Sequence, residues 1–142
     1  MDSNLRREII IDNYQNPTNR KVMEKSDFIK VNTRSDSCID DLTLYVKLDN
    51  DKIIDIYFDG EACAITTSAT SIMIKSLIGK SLNDASLIIE NYYNMIEEKE
   101  YNKELLGELN VYDEIYKQPN RKKCATLPFD TLEKAVKIYV EK

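Results

Sequence analysis

The 142-residue chain contains no histidine, and it has only three cysteines, three glycines and three prolines. Without histidine, the chain by itself can form neither a Ser-His or Cys-His catalytic pair nor a histidine-ligated metal site. An odd number of cysteines is unusual for a small secreted domain held together by disulfides, and free thiols suit a reducing compartment. The cysteines are therefore expected to act as thiols rather than as disulfide partners.

The chain also lacks an excess of positive charge and any long apolar run. Its formal net charge is -5 and its pI is near 4.9, so no positive field attracts nucleic acid or an anionic membrane. No stretch approaches the roughly 20 apolar residues that span a bilayer, and the N-terminus turns polar before a signal-peptide core would be complete. We expect a cytoplasmic protein without nucleic acid or membrane partners.

The residues that are present predict an ordinary globular domain. Hydrophobic residues make up 42% of the chain and charged residues 32%, which is typical of such proteins. The length suits one domain with its own core, and no linker divides the chain. We expect a single domain over residues 1–142, with an insertion at about 99–119 that is polar, weakly periodic and limited to a turn or two of helix.

Apolar residues with a two-residue period predict three short strands between two helical regions. The strands are expected over residues 28–34, 42–49 and 52–60, and "DNDK" between the last two predicts a hairpin turn. On the third strand, Ile54, Ile56 and Phe58 are expected to share the apolar face. Such a sheet has one apolar side that needs a cover.

Helical spacing predicts that cover. The expected helices occupy residues 4–15, 63–79, 81–99 and 127–142. In the second, the run of threonine and serine residues from Thr66 to Ser71 is predicted to let the helix pack closely, because no activating base accompanies the hydroxyls. The predicted fold class is α+β, a small antiparallel three-stranded β-sheet packed against several α-helices.

Three cysteines and one aspartate fall at predicted element boundaries. Cys38 and Asp40 precede the second strand, Cys63 follows the third strand and opens a helix, and Cys124 precedes the last helix. A cysteine that merely fills the core would more often interrupt an apolar stripe. Three thiolates and one carboxylate suit zinc, but the spacing includes no C-x-x-C pair. The pattern alone leaves both a shared metal site and unrelated buried thiols open.

Four segments, in chain order, resemble motifs of the U-type iron-sulfur scaffold family, which includes NifU N-terminal and IscU-like proteins. They are "IDNYQNPTNR", "SCIDD", "ACAITTSATSIMIKSLIGKSL" and "RKKCATLPFDTLEKAV". The third is similar to the G-C-x-I-S-x-A-S-x-S-M-M of the SufU branch, and the fourth to its R-x-K-C-A-T-L-P-W. The resemblance implies that Cys38, Asp40, Cys63 and Cys124 bind one metal, and it implies the same SufE/NifU-like fold.

Features around the third cysteine resemble the SufU branch more than the IscU-type scaffolds. Lys123 stands where IscU-type scaffolds carry a histidine, Arg121 matches the SufU branch, and the extra segment at about 99–119 is typical of that branch. The resemblance therefore implies a zinc-dependent sulfurtransferase that accepts persulfide sulfur from a SufS-like cysteine desulfurase and serves downstream iron-sulfur assembly proteins. The alternatives are a scaffold that assembles iron-sulfur clusters on the same ligands and an adaptor whose zinc only stabilises the fold.

The resemblance also implies individual roles. Cys38 is expected to accept the sulfur after a histidine of the desulfurase takes its place on Zn²⁺, while Asp40, Cys63 and Cys124 hold the metal. Arg121 is expected to assist by offsetting the negative charge of the site. Ile39 and Ala62 replace glycines of the family pattern; a branched residue at position 39 restricts the backbone that glycine would leave free.

Overall fold

A computed structural model describes residues 1–35 and 40–141 of the chain. Its helices are α1 (Ser3–Gln15), α2 (Ala64–Leu77), α3 (Leu82–Ile96) and α4 (Pro119–Val140), and its strands are β1 (Ile29–Arg34), β2 (Asp41–Asp49) and β3 (Lys52–Glu61). Three short 3-10 helices, Lys103–Leu105, Gly107–Tyr112 and Ile115–Lys117, lie between α3 and α4. The predicted α+β fold, with one antiparallel three-stranded sheet and covering helices, is confirmed.

The sheet has the order β1-β2-β3, with both neighbouring pairs antiparallel. Leu42, Leu44 and Val46 of the central strand are buried on the face that the helices cover. The turn between β2 and β3 places Asn50 and Asp51 at φ values of 50° and 57°, the left-handed conformation that two-residue hairpins favour. The predicted hairpin at "DNDK" is therefore present.

The prediction for Ile54 is wrong. The pairing of β2 with β3 runs through Lys47 and Asp55 and then passes to Leu48 and Ile53, so Ile54 is an extra residue in a β-bulge. The bulge changes which residues face the core. Ile53 is fully buried there, whereas 41% of Ile54 is exposed.

Helix α2 lies at the centre of the molecule, against α1, α4 and the sheet. Its threonines and serines from position 66 to 71 are buried, as close packing requires, and their hydroxyls make hydrogen bonds. Ser71 Oγ, for example, donates to Asn13 Oδ1 of α1 at 2.7 Å. These small side chains therefore allow close packing, and their hydroxyls also link the helix to its neighbours by hydrogen bonds.

The segment over residues 99–119 contributes to the main hydrophobic core. The segment buries a set of largely apolar side chains, in its second and third 3-10 helices and at the residue that precedes the second: Leu106, Leu109, Val111, Tyr112 and Ile115. A 3-10 helix repeats every three residues, so the burial pattern of this segment does not follow the α-helical period. That difference in period explains why the segment looks weakly periodic in the sequence.

Helix α4 begins earlier than predicted. It starts at Pro119, in the first-turn position that suits proline, and continues through Pro128 to Val140. Helical spacing of apolar residues predicts a start at residue 127, because residues 119–123 are polar and carry no apolar stripe. Cys124 consequently lies inside α4 rather than before it. No helix among the described residues is long and apolar enough to cross a membrane.

Candidate metal centre

Three of the four predicted metal ligands lie together. The ligand atoms of Asp40, Cys63 and Cys124 are all within 4.8 Å of one another. Asp40 and Cys124 are 1% and 2% exposed, and Cys63 is half-buried. Cys38 and Ile39 lie outside the described residues. The fold thus brings together a carboxylate before β2, a thiol at the start of α2 and a thiol inside α4.

The Asp40 carboxylate is held from both sides. The backbone N–H of Cys63 donates to its Oδ1 at 2.7 Å, and the Thr66 hydroxyl donates to its Oδ2 at 2.9 Å. The donors lie at the N-cap and in the first turn of α2, where the partial positive charge of the helix N-terminus also favours a carboxylate. Each oxygen keeps a lone pair that is free to bind a metal.

Cys63 is the N-cap residue of α2. Its backbone is extended, with φ -67° and ψ 169°, and its Sγ accepts from the backbone N–H of Thr66 at 3.5 Å. The preceding strand approaches β2 closely, since a side chain at Gly60, where φ is +125°, would collide with the carbonyl oxygen of Asp41. Ala62 is not among the described residues with positive φ, so alanine fits where the family pattern has glycine.

Cys124 is a buried thiol in an electronegative setting. Burial, together with the neighbouring Cys63 and Asp40, raises the pKa of the Cys124 thiol to about 12. Two thiols and a carboxylate in such proximity cannot all be anionic without a compensating cation. A cation that binds thiolates would therefore find its ligands already assembled.

The donor set and its spacing fit zinc. Two sulfurs bound to a tetrahedral zinc at ~2.3 Å are about 3.8 Å apart, so ligand movements of about 1 Å suffice. Cys63 and Cys124 supply the soft donors that zinc prefers, and Asp40 supplies an oxygen. Among the described residues, no histidine competes for these positions, because the chain has none.

The structure does not bring Arg121 into this cluster of ligands. Arg121 is exposed in the first turn of α4, three residues before Cys124. Residues three apart on a helix lie on neighbouring positions of its surface, so Arg121 occupies a helix position next to that of Cys124. Lys122 instead pairs with Glu97 at 3.5 Å, and Lys123 is exposed. The catalytic role of Arg121 stays a prediction.

Sequence reasoning missed Thr66. Its side chain is fully buried, and its hydroxyl contacts both Asp40 and Cys124. The sequence signal was a threonine three residues after a cysteine that begins a helix, a position from which a side chain can turn back toward the cap. The neighbouring hydroxyl residues concealed that signal.

A family profile described as the NifU-like N terminal domain matches residues 5–142. The chain belongs to that family. Among curated relatives, the zinc-dependent sulfurtransferase SufU of Bacillus subtilis is 36% identical over 133 residues, 93% of this chain and 89% of that protein. The iron-sulfur cluster assembly scaffold protein IscU of Streptococcus pyogenes is 33% identical over 91% of this chain and 80% of that protein.

Solved structures agree with this membership of the NifU-like N terminal domain family. The crystal structure of SufU from Fervidobacterium islandicum, described as an iron-sulfur cluster assembly scaffold protein for the SUF system, is 33% identical to this chain. It superposes with a TM-score of 0.85 and covers 94% of this chain and 98% of its own. All three clustered ligands lie within the region that the family profile matches.

Proposed function

We propose that this protein is a zinc-dependent sulfurtransferase that accepts persulfide sulfur from a cysteine desulfurase for iron-sulfur cluster assembly. One observation carries the proposal: Asp40, Cys63 and Cys124 converge to within 4.8 Å. They do so in a chain that is 36% identical, over 93% of its length, to a protein named as a zinc-dependent sulfurtransferase. The fold and the ligand chemistry therefore support the same activity.

Asp40, Cys63 and Cys124 would hold the zinc, and Cys38 is proposed as the fourth ligand on the family resemblance. When bound, zinc keeps cysteine sulfur in the thiolate form, which is the nucleophilic form. A free cysteine has a pKa of about 8.5 and is mostly protonated at neutral pH. With no histidine in the chain, this protein has no imidazole of its own to activate a thiol.

Cys38 is the proposed sulfur acceptor. Its thiolate attacks the outer sulfur of the desulfurase persulfide, and a new S–S bond forms on Cys38. The S–S bond of the donor breaks, and its electron pair leaves with the desulfurase cysteine as a thiolate. The step exchanges one S–S bond for another, so no oxidant or reductant is needed. Asp40, Cys63 and Cys124 would hold the metal, and none of them takes part in the exchange of S–S bonds.

Arg121 is proposed to assist from the solvent side of the site. A persulfide anion approaching the cluster adds negative charge to a region that already holds a carboxylate and thiolates. Arg121 is exposed and precedes Cys124 by three residues in α4, and a guanidinium that reached the site would attract and stabilise that charge. Arginine also remains charged at any physiological pH.

A second function is supported by other relatives. The IscU of Streptococcus pyogenes is named as a scaffold for iron-sulfur cluster assembly, and it is 33% identical to this chain. Thiolates and a carboxylate can also bind iron in a cluster. The scaffold is therefore the alternative to the sulfurtransferase, with the same residues as ligands.

Metal and acid-labile sulfide analysis of protein purified without oxygen separates the two functions. About one zinc per chain, with neither iron nor sulfide, is expected for the sulfurtransferase. Stoichiometric iron and sulfide would support the scaffold instead. A protein with no metal, even after zinc is supplied, would contradict both.

A further inference from the structure

One buried hydroxyl contacts all three of the clustered ligand residues. Thr66 Oγ1 lies 2.9 Å from Asp40 Oδ2, 3.1 Å from the carbonyl oxygen of Cys124 and 3.4 Å from Cys63 Sγ. The Thr66 side chain is fully buried. A carboxylate, a carbonyl and a thiolate can only accept hydrogen bonds, so in the metal-binding state Thr66 is the only donor among these four groups.

Pro128 explains why the Cys124 carbonyl is available to Thr66. In an α-helix, the carbonyl of residue 124 would accept from the N–H of residue 128. Position 128 is a proline, which has no N–H, and it lies inside α4. The Thr66 hydroxyl therefore lies at hydrogen-bond distance, 3.1 Å, from a buried carbonyl that lacks its usual helical partner. This contact ties the start of α2 to the turn of α4 that carries Cys124.

We propose that Thr66 is a positioning residue of the metal centre: its hydroxyl orients the Asp40 carboxylate so that the carboxylate oxygen faces Cys63 and Cys124. This inference rests on the proposed metal site. The hydroxyl has one proton, and the charged carboxylate at 2.9 Å is its stronger acceptor. Thr66 thus acts on the metal mainly through Asp40, while it also partly offsets the negative charge of the ligands.

The test compares two substitutions that differ in the hydroxyl. Thr66→Val keeps the shape but removes the donor, whereas Thr66→Ser keeps the donor. Zinc affinity of the purified protein is measured by competition with a chromophoric chelator. We expect Thr66→Val to weaken zinc binding by about 10- to 100-fold, the usual effect of losing a hydrogen bond to a ligand, and Thr66→Ser to stay within about threefold of the native protein.

Cobalt substitution gives a second readout that packing alone would not change. The visible absorption of bound Co²⁺ reports the number and geometry of its ligands. Thr66→Val is expected to alter that spectrum, and Thr66→Ser is expected to reproduce the native one. Native affinity together with a native cobalt spectrum in Thr66→Val would overturn the inference. If Thr66→Val does not fold, Thr66→Ala serves as the hydroxyl-free variant and is judged by the same two results.

A double-mutant cycle tests whether Thr66 acts through Asp40. In an Asp40→Ala background, Thr66→Val should lower the zinc affinity by less than about threefold, because the carboxylate that the Thr66 hydroxyl orients is absent. An equal loss in both backgrounds would show a merely structural role and overturn the inference. The cycle uses zinc and the protein alone, so it is independent of sulfur transfer. Thr66 dependence without persulfide acceptance would leave this inference standing and refute only the sulfurtransferase.

Discussion

The backbone N–H of Cys63 donates to Asp40 Oδ1 at 2.7 Å, joining two candidate metal ligands that are 23 residues apart in the chain. The hairpin of β2 and β3 separates them in sequence and returns them to the same end of the sheet. The donor is the main-chain N–H of Cys63, so this hydrogen bond leaves the Cys63 thiol free. The fold therefore positions the Asp40 carboxylate without the help of a metal.

Replacing Asp40 with asparagine should separate metal binding from folding. Asp40→Asn keeps the shape but offers zinc a neutral amide oxygen, so we expect zinc affinity to fall by about 100-fold. The free energy of unfolding of the metal-free protein should fall by less than about 1 kcal/mol. The amide can still accept from the backbone N–H of Cys63 and donate to the Thr66 hydroxyl. Chelator competition and urea unfolding measure the two effects.

The neighbouring aspartate provides the control. Asp41 pairs with Arg34 at 2.9 Å on a partly exposed part of the sheet. Asp41→Asn should leave zinc affinity unchanged, because Asp41 is not in the ligand cluster. Equal zinc loss in the two variants would contradict the assignment of Asp40.

Removing zinc should lower the thermal stability. A metal that binds only the folded state adds about 2.7 kcal/mol when its free concentration is 100 times its Kd, or about 10 °C in Tm for a domain of this size. The reason is specific to this site, where buried Cys124 lies beside Cys63 and Asp40. Scanning calorimetry of the native protein with and without a chelator measures the effect, and the same scans of Cys124→Ser with added zinc are the control. If zinc raised the Tm of Cys124→Ser as much as that of the native protein, the result would argue against this site.

Gly60 should be required for the fold near the metal centre. At φ +125°, Gly60→Ala combines a backbone conformation that side chains rarely adopt with a collision against the carbonyl of Asp41. We expect a loss of about 3 kcal/mol or more in the free energy of unfolding. Gly107→Ala is the control: Gly107 has φ +51° but open space around it, and its loss should be about 1 kcal/mol. Similar losses for both variants would refute the close approach at Gly60.

Arg121 should affect sulfur transfer without affecting metal binding. Because Arg121 is proposed to attract the incoming persulfide and is not a ligand, Arg121→Ala should slow persulfide transfer by about tenfold or more and leave the zinc content unchanged. Lys123→Ala, an exposed cation in the same turn, is the control and should transfer sulfur normally. Rates come from single-turnover reactions with a cysteine desulfurase. Equal effects of the two substitutions would reduce the role of Arg121 to general surface charge.

The sequence predicted the elements well where periodicity and turn chemistry agreed. The first helix, the three strands and the hairpin all appear in the structure, and α3 begins as predicted, with Ser81 as its N-cap residue accepting from the backbone N–H of Asp84 at 3.1 Å. Ile54 was misplaced because a β-bulge leaves the pattern of a continuous strand almost unchanged. The start of α4 was misplaced because residues 119–123 are polar and lack an apolar stripe, although the helix already runs through them and on through Pro128.

The candidate site was predicted from residue types and from the family resemblance, not from spacing. Asp40, Cys63 and Cys124 are separated by long intervals that contain two strands and several helices, and only the folded chain shows that their ligand atoms meet. Thr66 could not be distinguished from its hydroxyl neighbours, because its role depends on contacts with two distant segments. Cys38 lies outside the described residues, so its role stays a prediction.

The most direct test of the account is to locate the transferred sulfur. The zinc-loaded protein is incubated with a cysteine desulfurase and cysteine, persulfides are trapped by alkylation, and peptides are analysed by mass spectrometry. The account predicts one added sulfur atom on the Cys38 peptide, and none in a Cys38→Ser variant that still binds zinc. Sulfur on Cys63 or Cys124 instead, or undiminished transfer to Cys38→Ser, would contradict it.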